Sequence, residues 1–543
     1  MTENSTRGAA TALASALSFA TTVSLAATRP NILFILADDL GWGDVGFTGR
    51  NSRNAEKPAI RTPTLDRLAA EGVVLTDHVC AAPVCAPSRA SILTGLRQGR
   101  CSVSDNNFDA PISETRTLAS VLKGAGYATY AVGKWGVGGG GGSGLPFSAH
   151  PLDRGFDHYY GFPFHIAGHT YYHFDGRVND IWMGVMEDRT NATASAERVY
   201  STDLFTARAK RYLVDHVAAS TNRPFFMYLA VNTVHGSGML ADEIVHRETL
   251  HVPAGPYPEG GGLSGGVVWP VAKSTADVCN TWIDPAYAAL DPKAARYATA
   301  IARLDRAMAD LMKTLEDLGI ADDTLVVFTS DNGPAGEYGA DTRFFASAGP
   351  FDGMKRDVFE GGMRVPTFVR WPGRIASGRD AEPSISYDWL ATFADIAGVR
   401  DAAAGTDGVS LLPRWLGGGG EVRRSLVYTQ YFGPDFGGGD YAEIKARKAP
   451  VRGRQQMLRR GNLVAVRTQM KSLSDPVRVY DVVKDPFQEH PLPAAESDSL
   501  REEMNRLFVG TLPVGDFGMT SAGGCEGDGE ADAGQARTRD HPH

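Results

Sequence analysis

Three uninterrupted apolar runs, each ending in polar residues, constrain the fold of this chain more than any other feature. They are NILFILADD (31–39), FFMYLAVNTVH (225–235) and TLVVFTSDN (324–332). A strand that is apolar at consecutive positions is buried on both faces, which is typical of a parallel sheet covered by helices. In such sheets, ligands bind beyond the carboxyl ends of the strands. The sequence therefore predicts a functional site at the polar residues that end these runs.

Helical patterns alternate with the apolar runs. Between 294 and 318, apolar residues recur at spacings of 4-3-4-3-4 and define one face of a long amphipathic helix. Shorter helices are predicted at 63–72 and near 113–125, and YATYAVG (127–133) predicts a further strand. This alternation predicts an α/β fold in which a large, mostly parallel sheet is sandwiched by helices.

The C-terminal part of the chain follows a different pattern. Beyond a helix predicted at 388–399, glycine runs interrupt the sequence, and short strand-like segments precede a helix near 496–508. We interpret this part as a smaller α+β domain with antiparallel strands, followed by a disordered tail rich in Gly, Asp and Ala. The predicted organisation is a leader, a main domain, a C-terminal α+β subdomain and the tail, at 1–27, 28–415, 416–515 and 516–543.

Composition and the N-terminus limit the classes of function. With 54 Lys and Arg against 63 Asp and Glu, the net charge is −9, which argues against a nucleic-acid binder. No run of about 20 uncharged apolar residues predicts a transmembrane segment. Residues 1–27 combine Arg7, an apolar stretch and small residues, which is typical of a secretory signal peptide; a disordered leader or transit peptide is the alternative. A secreted, periplasmic or lysosome-like location would follow, and Asn191 in Asn-Ala-Thr would be a glycosylation site if the secretory route is eukaryotic.

Two pairs of residues could hold a metal ion. Asp38 and Asp39 follow one apolar run, whereas Asp331 and Asn332 follow another. Three carboxylates and an amide oxygen form a hard, oxygen-only ligand set suited to calcium, with magnesium as the alternative. No Cys or His shows the spacing of a zinc site. The simpler interpretation is that both pairs only form turns, which these residue types favour.

Cys85 is the most informative of the five cysteines. It lies in AAPVCAPSRASILTGL, and a helix is predicted to start just after it. Arg89 and a helix N-terminus together favour the binding of an anion. The spacing of the cysteine and the arginine differs from that of thiolate phosphatases, and papain-like surroundings are absent. The residues alone leave open an inert buried thiol or a functional cysteine of unknown mechanism.

The segment PVCAPSRASILTG (83–95) resembles the signature of the type I sulfatases, a family with the alkaline phosphatase-like fold. The resemblance extends over nearly the whole chain after the leader, in NILFILADDLGWGD, TPTLDRLAAEG, GYATYAVGKW, GFDHYYGF, SDNG, GMKRDVFEGGMRVP, DGVSLLP and YDVVKDP. In that family a formylglycine-generating enzyme converts the cysteine to formylglycine, whose hydrated aldehyde is the nucleophile. The resemblance implies that 28–415 is a catalytic sulfatase domain of a sulfuric ester hydrolase, with that enzyme as its maturation partner.

The resemblance also implies a role for each matching residue. Calcium would be held by Asp38, Asp39, Asp331, Asn332 and the modified Cys85. Arg89 would hold the formylglycine, and His235 would face the leaving group. Lys134 and Lys355 would grip the sulfate oxygens, where fixed cations stabilise the charge that develops during transfer. One hydroxyl of the hydrated aldehyde would attack sulfur to form a covalent sulfate intermediate, and the second would release the sulfate.

One position departs from the family motif Gly-Lys-Trp-His. Gly136 stands where the family has a histidine that contacts the formylglycine. The segment HIAGHTYYH (165–173) supplies other histidines, and we expect His169 to point into the site and to provide the missing imidazole. The alternative is that His169 only forms a hydrogen bond within a loop.

Two other functions stay open at this point. A phosphonate monoester or phosphodiester hydrolase of the same superfamily would use the same nucleophile. A non-catalytic pseudo-sulfatase would bind sulfated glycan without turnover, although the presence of every matching metal ligand and of both lysines favours an enzyme. The expected substrate is a saccharide sulfate, since a long cleft lined by polar loops suits an oligosaccharide; an aryl sulfate is the alternative.

Overall fold

A computed structural model describes residues 29–49, 59–105, 110–139, 148–178, 181–219, 222–236, 250–263, 282–336, 342–417, 426–432, 453–493 and 497–509. Ten strands form one mixed sheet. In spatial order they are β13 (Gly378–Asp380), β2 (Val73–Leu75), β12 (Phe368–Arg370), β11 (Thr324–Ser330), β1 (Asn31–Ala37), β10 (Phe225–Ala230), β4 (Ala128–Gly133), β5 (His158–Gly161), β8 (Met186–Glu187) and β9 (Thr190–Asn191).

The centre of the large sheet is parallel. β11, β1, β10, β4 and β5 run parallel in that order, and antiparallel pairings follow on both sides. The three predicted apolar strands lie together in the middle. Their register pairs Ala37 with Ser330 and Leu36 with Ala230, so these strands end at nearly one level. The polar residues that follow them are therefore brought to one edge of the sheet.

Helices cover both faces of this sheet. Because side chains alternate along β1, Leu33 and Ile35 belong to one buried core, whereas Phe34 and Leu36 belong to the other. The helices of the first core are Pro63–Ala70, Ser201–Ala218 and Pro292–Asp317, and those of the second are Cys85–Thr94, Leu118–Gly124 and Asp388–Ile396. Short helices lie at Thr193–Ala196, Thr342–Phe345, Glu360–Met363 and Leu412–Trp415, and 3-10 turns at Trp42–Asp44, Gly46–Thr48, Pro151–Arg154, Ile166–His169, Pro285–Tyr287 and Arg400–Ala403. The sequence pattern did not predict Ser201–Ala218, because its buried side includes polar residues such as Asp203 and Lys210.

A separate antiparallel sheet is built from the C-terminal part. Its strands, in order, are β15 (Val427–Tyr431), β16 (Gln455–Arg460), β17 (Leu463–Arg467) and β18 (Arg478–Asp481). The helix Ser497–Leu507 packs on one face through Leu500 and Met504. The opposite face joins a core that includes Val84 and Val358 of the main domain. The predicted fold class is confirmed, but β16 was not among the predicted strands, since its sequence QQMLRR is mostly polar.

Two shorter strand pairs complete the described strands: β3 (His78–Val79) with β14 (Ser384–Ile385), and β6 (Arg177–Val178) with β7 (Ile181–Trp182). The leader at 1–27 and the tail at 516–543 lie outside the described residues, and the limits of the two domains stay predictions. Asn191 is exposed on β9, where its Nδ2 donates to Asp175 Oδ2 at 3.1 Å. Across the described ranges, we find no helix with the length and apolar character that crossing a membrane requires.

Candidate active site

Residues that follow four neighbouring strands meet at one buried site. They are Asp38 and Asp39 after β1, Lys134 after β4, His235 beyond β10, and Asp331 and Asn332 after β11. Backbone hydrogen bonds extend the sheet to this level. The amide of Asp38 donates to Thr233 O at 2.9 Å, and that of Asp331 donates to Ala37 O at 3.1 Å. The structure thus brings together the five polar residues that end the three apolar runs, and Lys134, which only the family resemblance had indicated, lies with them.

The backbone at Asp39 turns both aspartates toward the same space. Neighbouring residues on a regular strand point to opposite faces, but Asp39 adopts a left-handed conformation with φ of 60°. Its amide donates to Asp331 Oδ1 at 3.2 Å, which holds the turn against the end of β11. A left-handed non-glycine residue costs about 1 to 3 kcal/mol, and such strain is concentrated at functional sites.

Cys85 is the first residue of the helix Cys85–Thr94, whereas the sequence predicted a helix that starts just after this cysteine. Its Sγ lies 3.4 Å from Asp38 Oδ1 and 3.9 Å from Asp39 Oδ1. Burial raises the pKa of the Cys85 thiol well above its ordinary value, although Lys134 and Lys355 act in the opposite direction. The cysteine as encoded is therefore a neutral thiol at neutral pH, and a neutral thiol is not the reactive form of this side chain.

Three cations balance the three carboxylates of the site. Lys134 Nζ lies 2.6 Å from Asp38 Oδ2, Lys355 Nζ lies 2.9 Å from Asp39 Oδ2, and Arg89 Nη2 lies 2.8 Å from Asp331 Oδ2. Arg89 also donates from Nη1 to the carbonyl of Lys134 at 3.2 Å. The two lysines and the arginine that the family resemblance indicated are therefore all at the site, and they enclose Cys85.

The carboxylates differ in their pKa values. Burial alone would raise the pKa of Asp38, but Lys134 and Arg89 hold it well below its ordinary value. Burial and the negative charge of Asp38 raise the pKa of Asp331 to about 7. A cation bound among these oxygens would favour the charged form of both groups.

The donor set fits a hard divalent cation. Asn332 Nδ2 donates to Asp39 Oδ1 at 2.7 Å, whereas Asn332 Oδ1 is buried and has no hydrogen-bond partner among the described residues. An amide oxygen left in this way beside carboxylates is a ready calcium or magnesium ligand. One donor atom each from Asp38, Asp39, Cys85 and His235 lie within 4.8 Å of one another. The sulfur of Cys85 stands there for the oxygen that residue 85 would present after conversion to formylglycine.

His235 lies in the loop that follows β10, and its two ring nitrogens contact Lys355 and the backbone of this loop. Its Nε2 lies 3.2 Å from Lys355 Nζ, and its Nδ1 lies 2.7 Å from Gly236 O. Because an ammonium only donates, Nε2 accepts from Lys355 and Nδ1 carries the proton. Burial, and then Lys355, lower the pKa of His235 well below its ordinary value, so the ring is neutral. Tyr171 supports this loop, since its hydroxyl lies 2.8 Å from Asn232 O and 3.1 Å from His235 O. No sequence signal indicated this supporting role.

The histidines of the segment 165–173 separate into two groups. The His169 ring lies 4.6 Å from the His235 ring, and burial together with the nearby His235 and Lys134 lowers the pKa of His169 well below its ordinary value. The His173 ring instead packs 4.9 Å from Phe162, and its Nδ1 lies 3.2 Å from Met183 O. His169 therefore borders the site, and His173 belongs to the core.

Gly136 leaves space beside the same cations. A Cβ at this position would lie 3.7 Å from Lys134 Cε and 3.8 Å from Arg89 Cδ. A larger side chain at 136 would therefore project between Lys134 and Arg89.

Comparisons with known proteins identify the family of the chain. The family model named Sulfatase matches residues 30–399. Over 411 residues the chain is 31% identical to the N-acetylgalactosamine-6-sulfatase of Canis lupus familiaris, covering 72% of this chain and 66% of the canine protein. It is 31% identical over 439 residues to arylsulfatase A of Bos taurus, covering 76% of this chain and 72% of the bovine protein. The solved structure of Ps i-CgsB in complex with k-i-k-neocarrahexaose has a TM-score of 0.64 at 24% identity, covering 88% of this chain and 92% of that chain, and shares the fold.

The fold and the site together define an α/β protein with a buried cluster of carboxylates and cations around a cysteine. The chain belongs to the sulfatase family, and the family resemblance of its motifs is confirmed. The matched region spans 66% of the length of the canine relative, just under two thirds.

Proposed function

We propose that the protein is a sulfuric ester hydrolase that uses residue 85, converted to formylglycine, as its nucleophile. The observation that carries the proposal is the setting of Cys85, a neutral thiol at a helix start beside two carboxylates and near the charges of Lys134, Lys355 and Arg89. A neutral thiol is poorly suited to attack sulfur, whereas the hydrate of an aldehyde at this position supplies one hydroxyl for attack and a second for release of sulfate.

Asp38, Asp39, Asp331, Asn332 and residue 85 would hold a calcium ion, with magnesium as the alternative. Such an ion polarises a bound oxygen and adds positive charge. Since the three carboxylates and three cations cancel, a divalent ion leaves the pocket with a formal charge of plus two. This charge favours binding of a sulfate ester anion.

The residues of the chain divide the remaining work. Lys134 and Lys355 hold the equatorial oxygens of the sulfuryl group, where they stabilise the charge that develops during transfer. Arg89 holds residue 85 in place. His235 faces the leaving group. Its ring is neutral and its Nε2 accepts from the Lys355 ammonium at 3.2 Å, so Nε2 must first gain a proton before it can pass one to the departing alcohol as a general acid.

His169 supplies the imidazole that the family motif places at position 136. Its position beside His235 and the space left by Gly136 support this role. The imidazole would accept the proton whose removal from residue 85 releases the sulfate. His165, whose ring lies 5.8 Å from that of His169, supports the orientation of His169.

A carbohydrate sulfate is the proposed substrate class. The N-acetylgalactosamine-6-sulfatases among the relatives are named for a sulfated sugar, and they match this chain over 72% of its length. The leader at 1–27 would direct the protein to a secreted, periplasmic or lysosome-like compartment, and Asn191 is exposed as a glycosylation site would require. The maturation partner would be a formylglycine-generating enzyme.

The test compares turnover of an aryl sulfate, a sulfated monosaccharide and an aryl phosphodiester by protein matured with that enzyme, beside the Cys85→Ala variant. Turnover of the sulfates that is lost in Cys85→Ala supports the proposal. Faster turnover of the phosphodiester would instead indicate a phosphodiester or phosphonate monoester hydrolase. Calcium-dependent binding of sulfated glycan, equal in both proteins and without turnover, would indicate a binding protein.

A further inference from the structure

The loop that carries Lys355 is held by a residue of the separate C-terminal sheet. Gln455, the first residue of β16, is buried, and its side chain spans two backbone groups of the loop. Its Nε2 donates to Arg356 O at 2.7 Å, and its Oε1 accepts from the amide of Val358 at 3.3 Å. One amide side chain thus satisfies a carbonyl and an N–H on either side of Asp357.

The loop needs such support because of its conformation. Arg356 has a φ of 77°, a left-handed conformation that is unfavourable for a side chain of this type. Its amide donates to Pro83 O at 2.7 Å, and the amide of Lys355 donates to Pro334 O at 2.9 Å. The loop is therefore attached to the segment that precedes Cys85 and to the segment that follows Asn332. Gln455 provides its third attachment.

The apolar packing around Gln455 also connects the small sheet to the loop of Lys355. One face of the small sheet shares a buried core with Val84, which precedes Cys85, and with Val358 and Phe359, which follow Lys355. Gln488 provides a second contact from the C-terminal part, since its Oε1 accepts from the amide of Glu360 at 2.9 Å. The small sheet thus braces both segments that carry the reacting groups.

We propose that Gln455 is a positioning residue that keeps Lys355 against Asp39 and His235 by fixing the backbone at 356–358. This inference rests on the proposed sulfatase function for its kinetic consequence. A displacement of about 1 Å of a charge-stabilising group can cost on the order of a hundredfold in rate. Gln455 touches no reacting atom, so its effect must pass through Lys355.

The decisive experiment is a double-mutant cycle on matured protein, with rates normalised to the converted fraction of residue 85. Gln455→Met keeps the length of the side chain but removes both hydrogen bonds. We expect kcat/KM for a sulfate ester to fall by about ten- to a hundredfold in wild-type background. In a Lys355→Met background the same change should have almost no effect, because the group that it positions is gone.

Gln456→Met is the matched control. Gln456 is the next residue on β16 and equally buried, but among the described residues its side chain bonds only within the small sheet, to Tyr428 OH and Arg467 Nη1, each at 2.8 Å. It should lower stability without changing kcat/KM of the folded protein. A rate unchanged by Gln455→Met, or a loss of equal size in both backgrounds, would overturn the proposal.

Hydrogen exchange separates this inference from the proposed function. If wild type turns over no sulfate ester, the proposed function fails, and peptides that cover 354–360 still report on the loop. Faster exchange of the Val358 amide in Gln455→Met than in Gln456→Met would support the positioning role. Equal exchange in the two variants would reject it.

Discussion

Two clusters of buried charge lie in the same molecule and behave differently. The first surrounds Cys85 and pairs Asp38, Asp39 and Asp331 with Lys134, Lys355 and Arg89. The second lies between the main domain and the small sheet and joins Asp77 and Glu360 to Arg364 and Arg459. Both clusters are buried, and both are formally neutral.

In the second cluster every charged group forms an ion pair with a group of opposite charge in the same cluster. Arg364 and Arg459 each contact both carboxylates: Arg364 Nη1 lies 2.8 Å from Asp77 Oδ1, and Arg459 Nη1 lies 3.3 Å from Glu360 Oε1. Planar guanidinium groups suit such bridging. Because Arg459 comes from β16 and Glu360 lies in the main domain, the cluster fastens the small sheet in place.

In the first cluster, not every polar group is used to bind another group of the described residues. The oxygen Asn332 Oδ1 has no partner among the described residues, Cys85 is a neutral thiol, and two of the three cations are lysines. Asp39 also has a left-handed backbone. Neutrality and burial therefore do not distinguish a site from a structural network. The two clusters differ in the amide oxygen of Asn332, which has neither a hydrogen bond nor an ion pair among the described residues, and in the backbone conformation of Asp39.

The largest effect of a substitution in the first cluster, with residue 85 intact, is expected for Lys134→Met. It removes a cation that would contact the sulfate, so turnover of a sulfate ester should fall by about 10²- to 10³-fold. The free energy of unfolding should change little in calcium, since one positive charge fewer relieves repulsion in the metal-loaded pocket. Steady-state kinetics and urea unfolding measure the two effects, with the surface variant Lys123→Met as control. Loss of stability without loss of turnover would show that Lys134 has a structural role, like the arginines of the second cluster.

Arg459→Met tests the opposite behaviour in the second cluster. It leaves Asp77 and Glu360 buried with a single arginine, which should lower the free energy of unfolding by about 3 to 5 kcal/mol. Turnover by the folded fraction should change by less than about tenfold. Urea unfolding of this variant is compared with Arg460→Met, which alters the exposed neighbour on the same strand. Equal stabilities of the two variants would contradict a structural role for the cluster.

Calcium should stabilise the protein through the oxygen left unused at Asn332. At a calcium concentration about a hundredfold above its Kd, the gain in stability is about 2.7 kcal/mol. Asn332→Ala should lose most of this gain, whereas the surface variant Asn191→Ala should keep it. Thermal unfolding with calcium and with a chelator provides the readout. An unchanged calcium effect in Asn332→Ala would remove this residue from the ligand set.

The smallest effect is expected at the edge of the first cluster. His169→Ala should lower turnover by about ten- to a hundredfold, through loss of a proton acceptor. His173→Ala changes a core histidine and should lower stability more than turnover. Steady-state kinetics of the two variants provide the comparison. Small and equal losses of turnover in the two variants would contradict the proposal that His169 replaces the histidine that the family motif has at position 136.

Much of the site was predictable from residues that end strands. Asp38, Asp39, Asp331 and Asn332 follow apolar runs, and parallel pairing in register necessarily brings such residues together. Lys355 required the family resemblance, because a lysine in a loop carries no signal of its own.

The contacts from the small sheet were not predictable in this way. Gln455 and Arg459 lie about a hundred residues along the chain from their partners at 356–360. They belong to β16, which was not predicted as a strand because its sequence is mostly polar. Burial of a glutamine or an arginine depends on a partner that the local pattern does not contain. The same reasoning applies to Tyr171, whose hydroxyl supports the loop of His235 only because of the tertiary fold.

The most direct test of the central claim is the mass of the proteolytic peptide that contains residue 85, measured together with turnover. Protein produced with a formylglycine-generating enzyme should carry an aldehyde or its hydrate in place of the thiol, and turnover of a sulfate ester should rise in proportion to the converted fraction. Full turnover by protein whose residue 85 is entirely cysteine, or complete conversion without turnover of any sulfate ester, would contradict the account.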